Sequence, residues 1–271
     1  MIFTVLALGA CSPAPHGVAP RAHPTIVSLN PCTDAILADV AEPSQILALS
    51  AYSRDPASSS MDVTVARRFA VTSGTVEELL ALRPDIVVSS NFLSPATTSA
   101  MSNLGLRLEQ LPIASTVPES LAQVRKLALL TGHPERGELL VRRIELALAD
   151  AAPPPGTRAV SAVVWQSGGM VPGDNTLIAD LLRRTGFSVF SAARGLRQAD
   201  VLPLERMLAD PPELILAAGS PRAEENRVLG HPALSALTTT KRMGLDPSLL
   251  WCGGPTIIRA ADRLGAVRRS L

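Results

Sequence analysis

The feature that most constrains the fold is an alternation of short apolar segments with helical patterns, which begins at residue 25 and continues to the C-terminus. Residues 25–29, 46–50 and 86–90 are apolar runs typical of buried strands. The segment 76–82 between them has helical spacing, with Thr75 as its N-cap, and it ends at Pro84. Such β/α alternation predicts a mostly parallel sheet covered by helices.

A second series of the same kind follows the proline run at 153–155. It predicts strands at 159–165, 188–191, 213–217 and 249–251, with a terminal helix at 255–269. The helical segment between the two series has apolar residues at helical spacing. We therefore expect an α/β protein of two lobes, at 25–132 and 153–271, bridged by one helix at 133–152.

The two series resemble each other in sequence. Residues 77–88 align with 205–216 without a gap, and in each a glutamate precedes a proline by seven positions and an apolar strand follows. Helix-proline-strand units also resemble one another by chance in α/β proteins, but the match favours an internal duplication. Two like lobes joined by one helix imply a cleft between them.

Composition and motifs exclude several classes of function. The chain has 25 Lys and Arg against 24 Asp and Glu, so it lacks the basic excess of a nucleic-acid-binding surface. Neither a phosphate-binding loop nor a nucleophile-elbow motif is present. The four His residues are scattered along the sequence and predict no metal site.

The N-terminus predicts an exported chain. Residues 1–10 are apolar but only about half as long as a membrane span. They end in Leu8-Gly9-Ala10-Cys11, which resembles the lipobox of bacterial lipoproteins, although no basic residue precedes Cys11. We expect residues 1–24 to be a leader and Pro-rich tether, with lipid attached to Cys11 and the protein in the periplasm. An ordinary apolar start is the alternative.

Two further cysteines, Cys32 and Cys252, would lie in an oxidising compartment if the chain is exported. Their spacing does not decide between a disulfide and two small buried side chains.

Several segments together resemble the substrate-binding proteins of ABC importers for vitamin B12 and iron chelates. These segments are 25–40, 49–56, 77–88, 173–182 and 250–264. The resemblance implies two α/β lobes on a long rigid helix, a ligand between the lobes, a monomer and no catalysis or resident cofactor. It implies cobalamin or a ferric chelate as ligand and an ABC permease with its ATPase as partners. A ferric siderophore binder and a solute-sensing domain are the alternatives; a cleft enzyme would need a His near Cys32.

The resemblance also assigns roles to residues. Glu77 and Glu205 match the glutamates that dock onto the permease, one on each lobe, although a first-turn acid also stabilises its own helix. Ligand contacts are expected from strand-end loops and aromatic positions: Asn30, Pro31, Cys32, Tyr52, Arg54, Trp165 and Trp251. Core burial is the alternative for both tryptophans.

Other implications concern metals and charged ligands. Residues 71–76 lack the tyrosine that ligates haem iron in relatives, which disfavours haem. Cys32 and Cys252 map to cleft loops of opposite lobes, where they would bridge the lobes or offer thiolates to a metal. Arg194 and Arg197 are candidates for ligand carboxylates or phosphates, or for solvated surface arginines.

Overall fold

The computed structural model describes residues 23–56, 58–219 and 231–271. The predicted lipidation site Cys11 lies outside the described residues. Within them the chain forms two parallel sheets, each covered by helices, and three longer helices that pack between and behind the sheets. The expected α/β class with two lobes is confirmed.

The first lobe, here the N-lobe, is built on five parallel strands in the order β3-β2-β1-β4-β5. Its strands are fully buried at the centre, where Ile26 of β1 aligns with Ile86 of β4. The strands are β1 (Ile26–Ser28), β2 (Ile46–Ser50), β3 (Val71–Thr72), β4 (Ile86–Ser90) and β5 (Leu108–Leu111). The helices are α1 (Pro31–Val40), α2 (Val63–Ala66), α3 (Val76–Leu82) and α4 (Pro95–Asn103).

The bridging helix predicted at 133–152 is α6 (Pro134–Ala151), and α5 (Val117–Thr131) packs against it. Thr116 and Glu119 form a capping box at the start of α5, and Gly132 ends that helix in a left-handed conformation. Apolar side chains on one face of α6 are buried, including Leu140 and Ile144. The buried core continues through these helices from one sheet to the other.

The second lobe, here the C-lobe, has four parallel strands in the order β11-β10-β6-β8 and a separate antiparallel pair, β7 with β9. Its strands are β6 (Val160–Gln166), β7 (Met170–Pro172), β8 (Phe187–Val189), β9 (Ala199–Val201), β10 (Leu214–Ala218) and β11 (Lys241–Leu245). Its helices are α7 (Leu177–Arg184), α8 (Leu204–Ala209), α9 (Pro232–Ser235) and α10 (Thr256–Arg269), and α10 packs against α6.

The duplication predicted from the sequence has a counterpart in topology. Helix α3 leads into β4, which pairs with β1, and α8 leads into β10, which pairs with β6. Likewise α1 connects β1 to β2, as α7 lies between β6 and β8. Glu77 and Glu205 therefore occupy equivalent places in the two lobes.

The strand predicted at 249–251 is wrong. Residues 247–249 form a 3-10 turn, capped by Asp246, whose carboxylate accepts a hydrogen bond from the Ser248 amide at 2.9 Å. The last strand is instead β11, which pairs with β10 from Lys241 opposite Leu214 onward. Because β11 is an edge strand with exposed side chains, its sequence lacks the apolar run that marks the other strands.

A candidate ligand cleft between the lobes

Two adjoining cavities open where the carboxyl edges of the two sheets face each other. Cavity I has a volume of about 460 Å³, and its wall is formed chiefly by N-lobe loops that follow β1, β2, β4 and β5. Cavity II, of about 340 Å³, is lined by residues of both lobes. Ile113, Ala114 and Trp251 belong to both walls, so the cavities are two parts of one cleft. The carboxyl edge of parallel strands is where such folds bind ligands.

The cleft exposes large apolar side chains. Phe92, Ile113 and Trp251 are 70%, 58% and 56% exposed, and all three belong to the wall of cavity I. Exposed apolar groups gathered in a concave surface indicate a site whose ligand covers them.

A disulfide joins the two lobes at the wall of cavity I. Cys32, at the start of α1, is bonded to Cys252, in the loop before α10, across 220 residues of sequence. The bridge hypothesis is thus confirmed, and the thiols that a metal would need are used in the bond. Trp251 is the neighbour of Cys252, so the bond also fixes the backbone next to the cleft tryptophan.

The two glycines after Cys252 allow the lobes to approach. A Cβ atom on Gly253 would lie 2.1 Å from Ser120 Oγ, and one on Gly254 would lie 2.4 Å from Ile36 Cγ1. Gly254 also has a φ of +60°, and its amide donates to Ser120 Oγ at 2.7 Å. A side chain at either position would clash with the Ser120 or Ile36 side chain at this crossing.

Further hydrogen bonds connect the lobes around the cleft. The Val117 amide at the start of α5 donates to Asp180 Oδ2 of α7 at 2.8 Å. The Ser60 carbonyl accepts from the Thr256 hydroxyl at 3.2 Å and from the Arg259 guanidinium, both on α10. With the disulfide and the shared core, these contacts indicate a cleft of fixed width.

Four of the predicted ligand residues lie in the cavity wall: Asn30, Pro31, Cys32 and Trp251. Asn30 caps α1, since its side-chain oxygen accepts from the Cys32 amide at 2.8 Å. Asn30, Pro31 and Cys32 follow β1 and therefore lie at the carboxyl edge of the sheet, as the sequence predicted. Their contact with a ligand stays a prediction.

The placement of Trp165 at the cleft mouth is wrong. Its side chain is fully buried in a C-lobe cluster that includes Phe190 and Met207. Strand β6 continues one residue further than expected, so Gln166, and not Trp165, reaches the wall of cavity II. Alternation along the strand turns Trp165 to the opposite face from Val164.

Tyr52 and Arg54 do not line either cavity. Both lie in a 3-10 turn after β2, where the buried Ser53 side chain points inward and the Tyr52 side chain is 60% exposed. The Arg54 guanidinium donates to the Phe69 carbonyl at 2.5 Å. Arg194 is also used within the lobe: it lies over the Phe190 ring and pairs with Asp210.

The sequence reasoning missed most of the polar wall. The missed residues of cavity I lie at the end of β4 or in the loops after β2, β4, β5 and β11, and they include Ser58, Ser59, Ser60, Ser90, Phe92, Ile113 and Ser248. Those of cavity II include Gln166, Asn175, Thr176 and Gln198. Ser90 ends β4 and Phe92 follows it, so the same reasoning from strand ends that identified Asn30 would also have identified these two residues.

A buried carboxyl group supports the N-lobe side of the cleft. Asp34 on α1 accepts hydrogen bonds from the Ser50 amide at 3.0 Å, the Ser50 hydroxyl at 2.5 Å and the Ser53 hydroxyl at 2.7 Å. Burial raises the pKa of Asp34 to about 7, against the effect of its serine hydrogen bonds. Asp34 thereby anchors the turn that leads into the serine-rich wall.

The raised pKa predicts pH-dependent stability. Between about pH 4 and pH 7 the folded chain keeps the Asp34 proton that the unfolded chain releases, so the free energy of unfolding falls as the pH rises. Three pKa units correspond to roughly 4 kcal/mol. We expect Asp34→Asn to remove this slope in urea unfolding measured across that range. An equal slope in both proteins would contradict the assignment.

Glu77 and Glu205 are exposed side chains in the first turns of α3 and α8. Among the described residues no hydrogen bond or ion pair is found to either carboxylate. The neighbouring Glu78 differs, since it accepts from Thr72 and Ser73 and these bonds lower its pKa. Both α3 and α8 lead into strands of parallel sheets, so their first turns lie on the cleft side of each lobe.

These features define a two-lobed binding-protein architecture with a cleft between α/β lobes. A family model described as periplasmic binding protein matches residues 26–245, and the chain belongs to that family. Its members bind small solutes, metal chelates among them, and work with ABC transporters in general. Comparison with curated proteins gave no match.

Solved structures share the fold at low sequence identity. The periplasmic heme-binding protein of Vibrio cholerae has a TM-score of 0.75 at 15% identity, covering 91% of this chain and 99% of that one. The apo heme-binding protein of Roseiflexus sp. RS-1 gives 0.73 at 19% identity, with 92% and 98% covered. The vitamin B12-binding protein of Vibrio cholerae gives 0.67 at 15% identity, with 91% and 98% covered.

The described residues show neither a membrane-spanning helix nor a metal-binding cluster. None of their helices has the length and apolar character needed to cross a membrane. Nor do they contain a cluster of three or more His, Cys, Asp or Glu side chains placed to hold a metal ion.

Proposed function

We propose that this chain is an extracytoplasmic solute-binding protein that captures a corrinoid or a ferric chelate and delivers it to an ABC permease. The observation that carries the proposal is the two-part cleft, whose exposed Phe92, Ile113 and Trp251 offer flat and apolar contacts to a large ligand. Solved relatives of the same fold are named for heme and vitamin B12 binding. Cobalamin is the first candidate and a ferric siderophore the second.

In this proposal the protein binds and delivers its ligand without changing it chemically. Cys32, the nucleophile that a cleft enzyme would use, has its sulfur bonded to Cys252. The metal chelate is cargo in this account. The fixed cleft width suits a protein that presents a ligand without a large hinge motion, and a monomer suffices because both walls come from one chain.

Docking on the permease is assigned to Glu77 and Glu205. Their equivalent positions place one exposed carboxylate on each lobe, both on the cleft side. Two separated charges fix the orientation of a rigid body on its partner and raise the rate of association. The permease and its ATPase are the partners in this proposal, and the location is the periplasm, with Cys11 as the lipid anchor.

The cleft assignment is tested by comparing two exposed aromatic residues. We expect Trp251→Ala to weaken cyanocobalamin binding by about tenfold to a hundredfold, because a large buried contact is lost. Tyr52→Ala is the matched control, since Tyr52 is equally exposed but lies outside both walls. Isothermal titration of both variants gives the dissociation constants. A larger loss in Tyr52→Ala than in Trp251→Ala would contradict the cleft assignment.

A further inference from the structure

The walls of both cavities share one chemical property: among the described residues that line them, none has a charged side chain. Their polar members are hydroxyl and amide side chains. In cavity I these are Asn30, Thr33, Ser58, Ser59, Ser60, Ser90, Gln123 and Ser248. In cavity II they are Ser115, Gln166, Asn175, Thr176 and Gln198.

Four arginines near the cleft line neither cavity. The Arg54 guanidinium donates to the Phe69 carbonyl, and that of Arg259 donates to the Ser60 carbonyl. Arg183 pairs with Asp174, the neighbour of wall residue Asn175. Arg197 is exposed beside Gln198 but lines neither cavity. A ligand anion in the cleft therefore meets no described guanidinium in the wall.

The same walls offer no side chain that would complete the coordination of a metal. Histidine, tyrosine, methionine and carboxylate side chains are missing from the described wall residues, and the two wall cysteines are bonded to each other. A metal held against these described residues would therefore bring its full set of ligands with it.

We infer that the cleft selects an electrically neutral metal chelate that is coordinatively saturated, held by its amide or hydroxyl periphery and its apolar faces. This inference rests on the proposed function and narrows its ligand. Serine, asparagine and glutamine side chains both donate and accept hydrogen bonds, so they match peripheral amides of either orientation. The described wall offers no countercharge to an ionised group, so the inference disfavours carboxylate-rich and catecholate chelates.

The test is a binding panel on the full chain by isothermal titration. The neutral probes are cyanocobalamin and a neutral ferric trihydroxamate; the charged probes are a ferric tricatecholate and haemin. We expect at least one neutral probe to bind about 100-fold or more tightly than either charged probe. Its dissociation constant should not change between about 0.05 and 0.5 M salt.

The outcomes separate the inference from the proposed function. Tight, salt-sensitive binding of the tricatecholate, or haemin binding with a Soret shift that shows a protein axial ligand, would overturn the inference and leave chelate binding intact. If none of the four probes binds, the proposed function is wrong, and the inference is wrong with it.

A variant with an added positive charge tests whether the lack of charged side chains among the described wall residues causes the selection of neutral ligands. Ser90 is a half-buried wall residue at the end of β4, so Ser90→Lys adds a cation to cavity I. We expect the affinity for the tricatecholate to rise by about tenfold or more in this variant. Ser102→Lys, at an exposed position on α4 outside both walls, is the matched control and should leave it unchanged. Equal affinities in the two folded variants would contradict a role for wall charge.

Discussion

Replacing both cysteines of the interlobe bond, Cys32→Ser with Cys252→Ser, is expected to lower the free energy of unfolding by about 3–5 kcal/mol. The bond closes a loop of 220 residues. A cross-link that closes a long loop removes more conformational entropy from the unfolded chain than one that closes a short loop, so it stabilises the folded state more. Urea unfolding of the oxidised protein and of the double variant measures the difference.

Reduction supplies the control for this prediction. A reductant should destabilise the wild-type chain by a similar amount and leave the double variant unaffected. Ligand affinity should fall as well, because Trp251 is held beside the bonded Cys252. Two free thiols in the aerobically purified protein, or an unchanged unfolding midpoint in the double variant, would contradict the structural role of the bond.

Replacing both docking glutamates, Glu77→Ala with Glu205→Ala, is expected to abolish ligand uptake while the affinity for the ligand stays unchanged. Both carboxylates are exposed and lie outside the cavity walls, so their loss removes contacts to the permease and none to the ligand. Uptake of labelled cyanocobalamin by cells of the native host that carry the variant measures the first effect. Titration of the purified variant measures the second.

The matched control is Glu145→Ala with Asp262→Ala. It removes the same charge from exposed positions on the bridging helix α6 and on α10. Uptake should be normal in this control. Equal loss of uptake in both double variants would show a general charge effect, and loss of ligand affinity in the docking variant would contradict the docking assignment.

Much of the fold was predictable because local signals agree with the tertiary structure. Strands β2 and β4 and helix α3 have the bounds predicted from sequence, since Thr75 caps α3 and Arg83-Pro84 ends it. The strand β11 and the pair β7–β9 were missed. The strands β7 and β9 are three residues long, and β11 is an edge strand with mostly exposed side chains, so their stability comes from pairing with distant segments that leave no periodic pattern.

Four wall residues were predicted correctly: Trp251 from the resemblance, and three others from their position after a strand. Asn30, Pro31 and Cys32 were found because they directly follow a buried central strand. Trp165 was misplaced because a shift of one residue along a strand reverses the direction of its side chain. The pairing of Cys32 with Cys252, and the lack of charged side chains among the described wall residues, depend on which loops of the two lobes meet across the cleft. Local sequence does not encode that adjacency.

The measurement that tests the central claim most directly is an isothermal titration of the purified chain with cyanocobalamin and then with a neutral ferric trihydroxamate. The account predicts saturable one-to-one binding of at least one of them in the micromolar range or tighter, about −8 kcal/mol or better. The bound protein should also unfold at a higher temperature, since a ligand at a hundred times its dissociation constant stabilises by about 2.7 kcal/mol. No heat and no thermal stabilisation with either compound would contradict the claim that this cleft holds a neutral metal chelate.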